Sequence, residues 1–288
     1  PDAPSTAATE VITPRRTRLV RVPDLRAFRR TIALLSSEAQ QDLSHAIAVV
    51  VPTRGAAQQL AGDPERVAPP AAFLTRDALY ADLNARLAAP RRMLTSCERE
   101  VLLQSAARDA IAEGQAPPFD VRPGLVAEMV RFYDQLRRQG QTVQRFEELL
   151  GERLQGDDDR GAVRLLEQTR FLATSFRLYE QRLQSADAVD EPLLRAYLLA
   201  TAPARPLTGI VIAVGDWIAD PHGLSAVDFD LLTRLPGLER IDLVATERAL
   251  QSGFHQRIHD WLPGLDEITS ASLGVPVAPA PRQLVVPV

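Results

Sequence analysis

Two stretches constrain what this chain can fold into: His45–Val51 (HAIAVVV) and Thr208–Val214 (TGIVIAV). Both are essentially apolar and rich in β-branched residues. A strand with one solvated face alternates apolar and polar side chains, so runs of this kind fit strands covered on both faces, as in a parallel sheet flanked by helices. Pro52-Thr53-Arg54 ends the first run; Thr53 can cap a helix whose Ala56, Ala57 and Leu60 suit close packing against a sheet. Phe73-Leu74 followed by Thr75-Arg76-Asp77 repeats the arrangement, with Leu79, Leu83 and Leu87 on the helix face. Before the first run, a Leu/Val segment from Thr17 leads to Pro23-Asp24, where Asp24 can cap a helix with Leu25, Phe28, Ile32 and Leu35 on one face. The second run leads through Gly215-Asp216-Trp217 into an acidic, apolar helix ending at Leu235, and Ile241–Ala245 reads as another short strand.

Between these α/β segments the period becomes helical. Thr95 and Glu98 form a T-x-x-E capping box ahead of Val101, Leu102 and Ile111. Leu125, Met129, Phe132 and Leu136 line a second helix that stops at Gly140, and Phe146 to Leu154 suggests a shorter third. The longest helix, from about Ala162 to Ser185, carries the stripe Leu165, Leu166, Thr169, Leu172, Phe176, Tyr179 and Leu183; Asp190 then caps a helix with Leu193, Leu194, Tyr197 and Leu198. The expected organisation is a loose arm over 1–16, α/β segments over 17–90 and 206–268, an all-helical block over 91–205, and a linker or truncated strand over 269–288.

Composition removes several chemistries. All 33 basic residues are arginine, so there is no lysine for a P-loop, a Schiff base or a lysine-dependent nuclease centre. A GC-rich genome would favour arginine codons, and the chemical consequence is the same. A net charge of −4 provides no overall basic field, so nucleic-acid contact requires a local arginine cluster. One cysteine, Cys97, allows neither an intrachain disulfide nor a Cys-based zinc site, and no window approaches eighteen apolar residues. The expectation is a cytoplasmic protein without membrane spans. The absence of an initiating Met and the end at Val288 lead to the expectation of a piece of a longer protein.

Several motifs admit two readings. Thr53 and Arg54 stand at the carboxyl edge of a buried strand, where α/β folds place ligands, and could grip a nucleic-acid phosphate; the simpler account is a helix cap beside a solvated arginine. Gly215-Asp216-Trp217 has the outline of a strand ending in an acidic motif, but Asp216 stands alone, and one carboxylate rarely holds Mg²⁺ without phosphates. His255 and His259 (HQRIH) share a helix face at i, i+4, yet Gln256 replaces the glutamate of H-E-x-x-H and no third ligand is evident, so no metal is expected. Asp157-Asp158-Asp159 reads as a solvated loop. Arg131, Arg137, Arg138 and Arg145, and Arg164, Arg170, Arg177 and Arg182, could track a phosphate backbone or form solvated faces paired with Glu128, Asp134, Glu167 and Glu180. Phe132 and Tyr133 read as core.

Taken together, VVVPTRGAAQQL, the helical block, Val189-Asp190-Glu191 and IVIAVGDWIADPHGLSAVDFDLL resemble the N-terminal region of AddB-type subunits of helicase–nucleases, over about Arg18 to Glu267. The resemblance implies a degenerate P-loop, RecA-like, superfamily 1 helicase-type parallel sheet with an inserted all-helical domain. It implies that Thr53 and Arg54, and less directly Thr75 and Arg76, match elements contacting single-stranded DNA, and that Asp216 is a remnant of the nucleotide site. RVPDLRAFRRTIALL, Arg21 to Leu35, sits where the P-loop belongs and lacks its glycines; GDWIAD lacks the glutamate of the acidic motif. The family's iron–sulfur cysteines and nuclease residues have no counterparts. The functional expectation is a DNA double-strand break repair module without ATPase or nuclease centre and without cofactor, binding single-stranded DNA and docking a helicase motor subunit of an AddAB-like complex. The alternatives are an interaction scaffold without DNA binding and, third, a metal-dependent hydrolase.

Overall fold

The computed structural model describes residues 15–37, 46–62, 72–154, 159–214 and 223–275. The chain divides into two compact units, one of Pro1–Ala88, Thr201–Leu224 and Phe229–Val288, the other of Ala89–Ala200 with Ser225–Asp228.

The first unit is α/β. Strands β1 (Arg16–Val22), β2 (Ile47–Val50) and β3 (Ala72–Leu74) are followed by helices α1 (Leu25–Ser37), α2 (Arg54–Ala61) and α3 (Arg76–Ala85). Its later elements are β4 (Gly209–Val214), the end of α9 (Ala226–Arg234), β5 (Arg240–Thr246), the short α10 (Glu247–Ala249), α11 (His255–Trp261) and β6 (Asp266–Thr269). The six strands form one all-parallel sheet in the order β3-β2-β4-β5-β1-β6. Every residue of β4 is buried, as expected for a central strand covered on both faces. Gly209 is required by spacing: a Cβ there would lie 2.9 Å from Ile47 on the neighbouring strand.

Parallel register puts partners on the same face, and a hydrophobic cluster marks one of the two faces. Val20, Val22, Val49, Val51, Val211, Ala213 and Val244 pack with Ala27, Ile32 and Leu35 of α1, and Ala56, Ala57 and Leu60 of α2 close against them. The β1-to-β2 and β2-to-β3 connections move across the sheet in one direction, and those from β3 to β4, β5 and β6 move in the other. Right-handed crossovers therefore assign the helices after β4 and β5 to the opposite face from α1 and α2. On that opposite side, Phe229 of α9 stacks on Trp261 of α11 with ring centroids 5.1 Å apart.

Residues 266–269 were not expected to be a strand. Asp-Glu-Ile-Thr has no apolar run, and only pairing with β1, Leu19 opposite Glu267, makes it one; as an edge strand it stays largely exposed.

Among the described residues the second unit is helical apart from a bridge between Met93 and Val189. It comprises α4 (Ser96–Ala112), α5 (Pro123–Arg138), α6 (Val143–Leu154), α7 (Arg160–Ser185), α8 (Glu191–Ala200) and the first turn of α9. Its core joins Leu103, Ala106, Ala107, Ala110, Val126, Met129, Tyr133, Phe171, Phe176, Tyr179 and Leu183. Helix α7 buries more of its circumference than one stripe: Phe171 and Ala173 are fully buried, while Leu165 of the expected stripe is 43% exposed. Phe132, also expected in the core, is 38% exposed and lies edge-on to Phe146.

The capping box of α4 forms as its sequence requires. Glu98 receives the Thr95 backbone N–H at 2.8 Å, and Thr95 Oγ1 accepts from the Glu98 N–H at 3.2 Å. The Thr95 backbone N–H, then Arg92 and the Thr95 hydroxyl, hold the Glu98 carboxyl at about 2, below its ordinary 4.5. A depressed carboxylate contributes stability that is complete above its unfolded value and disappears as pH falls through the folded one. Glu98→Gln should therefore show a flatter stability profile between about pH 5 and pH 2 than the parent, the two converging below about pH 2, as read from urea midpoints.

Candidate functional site

The carboxyl edge of the sheet gathers Thr53, Arg54, Thr75 and Arg76, the residues expected from the sequence to contact DNA. Strands β2 and β3 are neighbours, Val50 opposite Leu74, and each is followed by a threonine that caps the next helix. Thr53 is extended (φ −140°, ψ 160°), and its Oγ1 accepts the Ala56 N–H at 3.1 Å. Thr75 does the same for Ala78 at 3.4 Å. A capping hydroxyl uses its acceptor side and keeps its own hydrogen to donate. Thr53 and Arg54 are both exposed, and among the described residues Arg54 has no ion-pair partner.

Arg76 is different. Only 3% exposed, its guanidinium lies 5.0 Å from the centroid of the Tyr80 ring and 3.6 Å from Asp77. It reads as part of the packing of α3 and does not present its charge to solvent. On the other side of β2 runs β4, whose chain leaves in the opposite direction. The β2 and β4 carboxyl ends thus flank a topological switch point, the crevice where open parallel sheets bind ligands. Asp216, Gly215 and Trp217, which follow β4, lie outside the described residues, as does Asp157-Asp158 of the acidic loop.

After β1 only Pro23 and Asp24 separate the strand from α1. Asp24 Oδ1 accepts the Ala27 N–H at 2.8 Å. A carboxylate therefore stands at the helix N-terminus, where a phosphate-binding loop would offer backbone N–H groups to an anion.

A second cluster lies on the sheet face opposite α1, near the β6 edge. His255 and His259 project from one face of α11, and both Nε2 atoms reach Glu267 Oε1, at 2.6 and 2.7 Å. The other oxygen of Glu267 accepts from Arg21 at 3.1 Å, and Arg21 also makes a two-point contact with Glu247. Burial pushes the Glu267 carboxyl up, but hydrogen bonds from His255, His259 and Arg21 outweigh it and leave the group below its usual range. Hydrogen bonds to Glu247 and then Glu267 push Arg21 up. A π-helical turn, Leu250–Phe254, precedes α11, and Gly253 within it has φ +84°, a conformation that favours glycine. Glu267 is the ligand type that sequence reading missed. It lies beyond a turn at Gly264, in a strand without an apolar signature, so its only signal was an acid shortly after HQRIH.

In the helical unit Arg99 bridges α4 to Asp134 of α5 and Tyr179 of α7, and Tyr179 Oη lies 3.4 Å from Asp190. Burial pushes the Asp190 carboxyl and the Tyr133 and Tyr179 phenols up. Tyr133, Glu180 and Asp190 also line an open cleft of about 410 Å³. Four of the eight arginines considered as a phosphate track are ion-paired within the helical unit: Arg131 with Glu128, Arg145 with Glu148, Arg177 with Glu147 and Arg182 with Asp109. No helix among the described residues is long and apolar enough to cross a membrane. Neither protein-family models nor curated proteins provide a match to this chain.

Proposed function

We propose that the chain is a non-hydrolysing, RecA-like module of superfamily 1 helicase type, holding single-stranded DNA at the carboxyl edge of its parallel sheet and docking a motor subunit in double-strand break processing. The observation that carries the reading is the juxtaposition at that edge. The exposed Thr53-Arg54 pair and the Thr75 cap follow neighbouring strands, beside the β2/β4 switch point. Two capping hydroxyls, the N-terminal end of α2 and a guanidinium that has no ion-pair partner among the described residues form a short run of phosphate-compatible groups. The two-residue β1–α1 turn, closed by Asp24, supports the absence of nucleotide hydrolysis. The burial of Arg76 narrows the DNA assignment to Thr53, Arg54 and Thr75, with Arg76 supporting the helix beneath.

Single-stranded DNA affinity measured against salt tests the reading. Arg54→Ala should weaken binding and reduce the slope of log K against log salt by about 0.7, the value of one phosphate contact on a single strand. An unchanged affinity and slope would remove the DNA surface. The ion pairing of Arg131, Arg145, Arg177 and Arg182 within the helical unit favours, as the second reading, a scaffold that docks a partner without DNA. Under that reading the isolated chain binds no DNA and co-purifies with an ATPase subunit.

A further inference from the structure

We infer that His255, His259 and Glu267 form a binding site for a divalent first-row transition ion, with zinc the probe of choice. Their ligand atoms all lie within 4.8 Å of one another. Two imidazoles at i, i+4 and a carboxylate from a strand converge on one point, and two histidines with one glutamate and an open position make a recurrent zinc ligand set. The carboxylate is held for this role. Arg21 takes Oε2 and leaves Oε1 facing the imidazoles, the orienting contact that a metal-ligating carboxylate needs.

The local charge also favours a cation. Arg21 is the cation among the groups named here, and it is shared between Glu247 and Glu267, so the two carboxylates exceed it by one negative charge. Around zinc, ligand bonds of about 2.0–2.2 Å separate neighbouring ligand atoms by roughly 3.3 Å, wider than the present 2.6 and 2.7 Å contacts. The side chains can open by that amount because His255, His259 and Glu267 are 42%, 33% and 29% exposed. The ion would replace two shared hydrogen bonds by three coordinate bonds and leave a position for water. Its structural effect follows from the topology. β6 is a four-residue edge strand held on one side by β1, and the ion would clamp it to α11.

The experiment uses the full chain, freed of metal by chelation and titrated calorimetrically with zinc. One zinc per chain is expected, together with a thermal midpoint raised by a few degrees and slower amide exchange over Asp266–Thr269. His259→Ala and Glu267→Gln should each lower zinc affinity at least about tenfold and abolish the thermal shift. Should His259→Ala fail to fold, the near-isosteric Glu267→Gln carries the same comparison. Less than one zinc per chain in the parent, or equal zinc affinity in parent and Glu267→Gln, overturns the site. No DNA enters the measurement, so its outcome is independent of the DNA-binding reading.

Discussion

Asp242→Ala is expected to lower the unfolding free energy by about 3–5 kcal/mol, the usual cost of removing one partner from a buried ion pair. Asp242 lies at the centre of β5 with no solvent exposure. Its Oδ1 accepts from Arg18 Nε at 2.6 Å, and its Oδ2 lies 2.8 Å from Arg240 Nε. Arg18 is the register partner of Asp242 on β1 and is itself only 5% exposed. Without the carboxylate, its guanidinium would keep its place inside the sheet face covered by α1 but lose this buried ion-pair partner. A domain stable by ~5–15 kcal/mol would lose a large fraction of its margin. Urea unfolding should show a lower midpoint at unchanged slope. Replacing the pair together, with Arg18→Met and Asp242→Leu, should recover much of the loss, because an apolar pair of similar volume carries no desolvation cost. A double variant no more stable than Asp242→Ala would refute the ion-pair explanation.

The second large effect belongs to the helical unit. Phe176→Ala should cost about 3–5 kcal/mol, combining lost apolar burial with the cavity left behind. Phe176 is fully buried on α7, 5.3 Å from the Tyr133 ring centroid and 6.2 Å from that of Phe132. Phe176→Leu retains most of the volume and should lose far less. The ordering parent, Leu, Ala in urea midpoint is the expected result. A loss below about 1 kcal/mol for alanine would mean that α5 and α7 close over the site, contrary to the density of a packed core.

Much of this architecture was legible in local signals. The apolar runs at β2 and β4 announced strands of a parallel sheet, and the threonines after β2 and β3 announced helix starts that the hydrogen bonds bear out. The Thr95–Glu98 box and the Asp190 cap, with Leu193 N donating at 3.1 Å, follow the same logic. Period alone was less reliable for what a helix touches. Leu165 and Phe132 have core-like positions in their patterns yet remain partly exposed, because burial depends on which neighbours arrive and not on the spacing itself.

Charged residues were the least legible. Arg76 and Arg54 occupy equivalent positions after their capping threonines, and the Thr-Arg pair is the same in both. Tyr80, one turn further along α3, gives Arg76 a surface to lie on, and its burial follows from the surrounding packing. Arg18 and Asp242 likewise look like ordinary strand-flanking charges until β1 and β5 are aligned in register.

The sequence by itself determined the elements whose causes are local: apolar runs that need cover on both faces, caps that satisfy orphan N–H groups, and a chain without lysine or a glycine-rich phosphate loop after β1. The tertiary structure decided everything that depends on distant partners. It set the strand order, made Asp-Glu-Ile-Thr a strand, buried Arg18 and Arg76, and brought Glu267 to His255 and His259. The physical reason is that helix and cap signals act over a few residues, whereas sheet register and the meeting of side chains arise only when segments far apart in the chain are packed together.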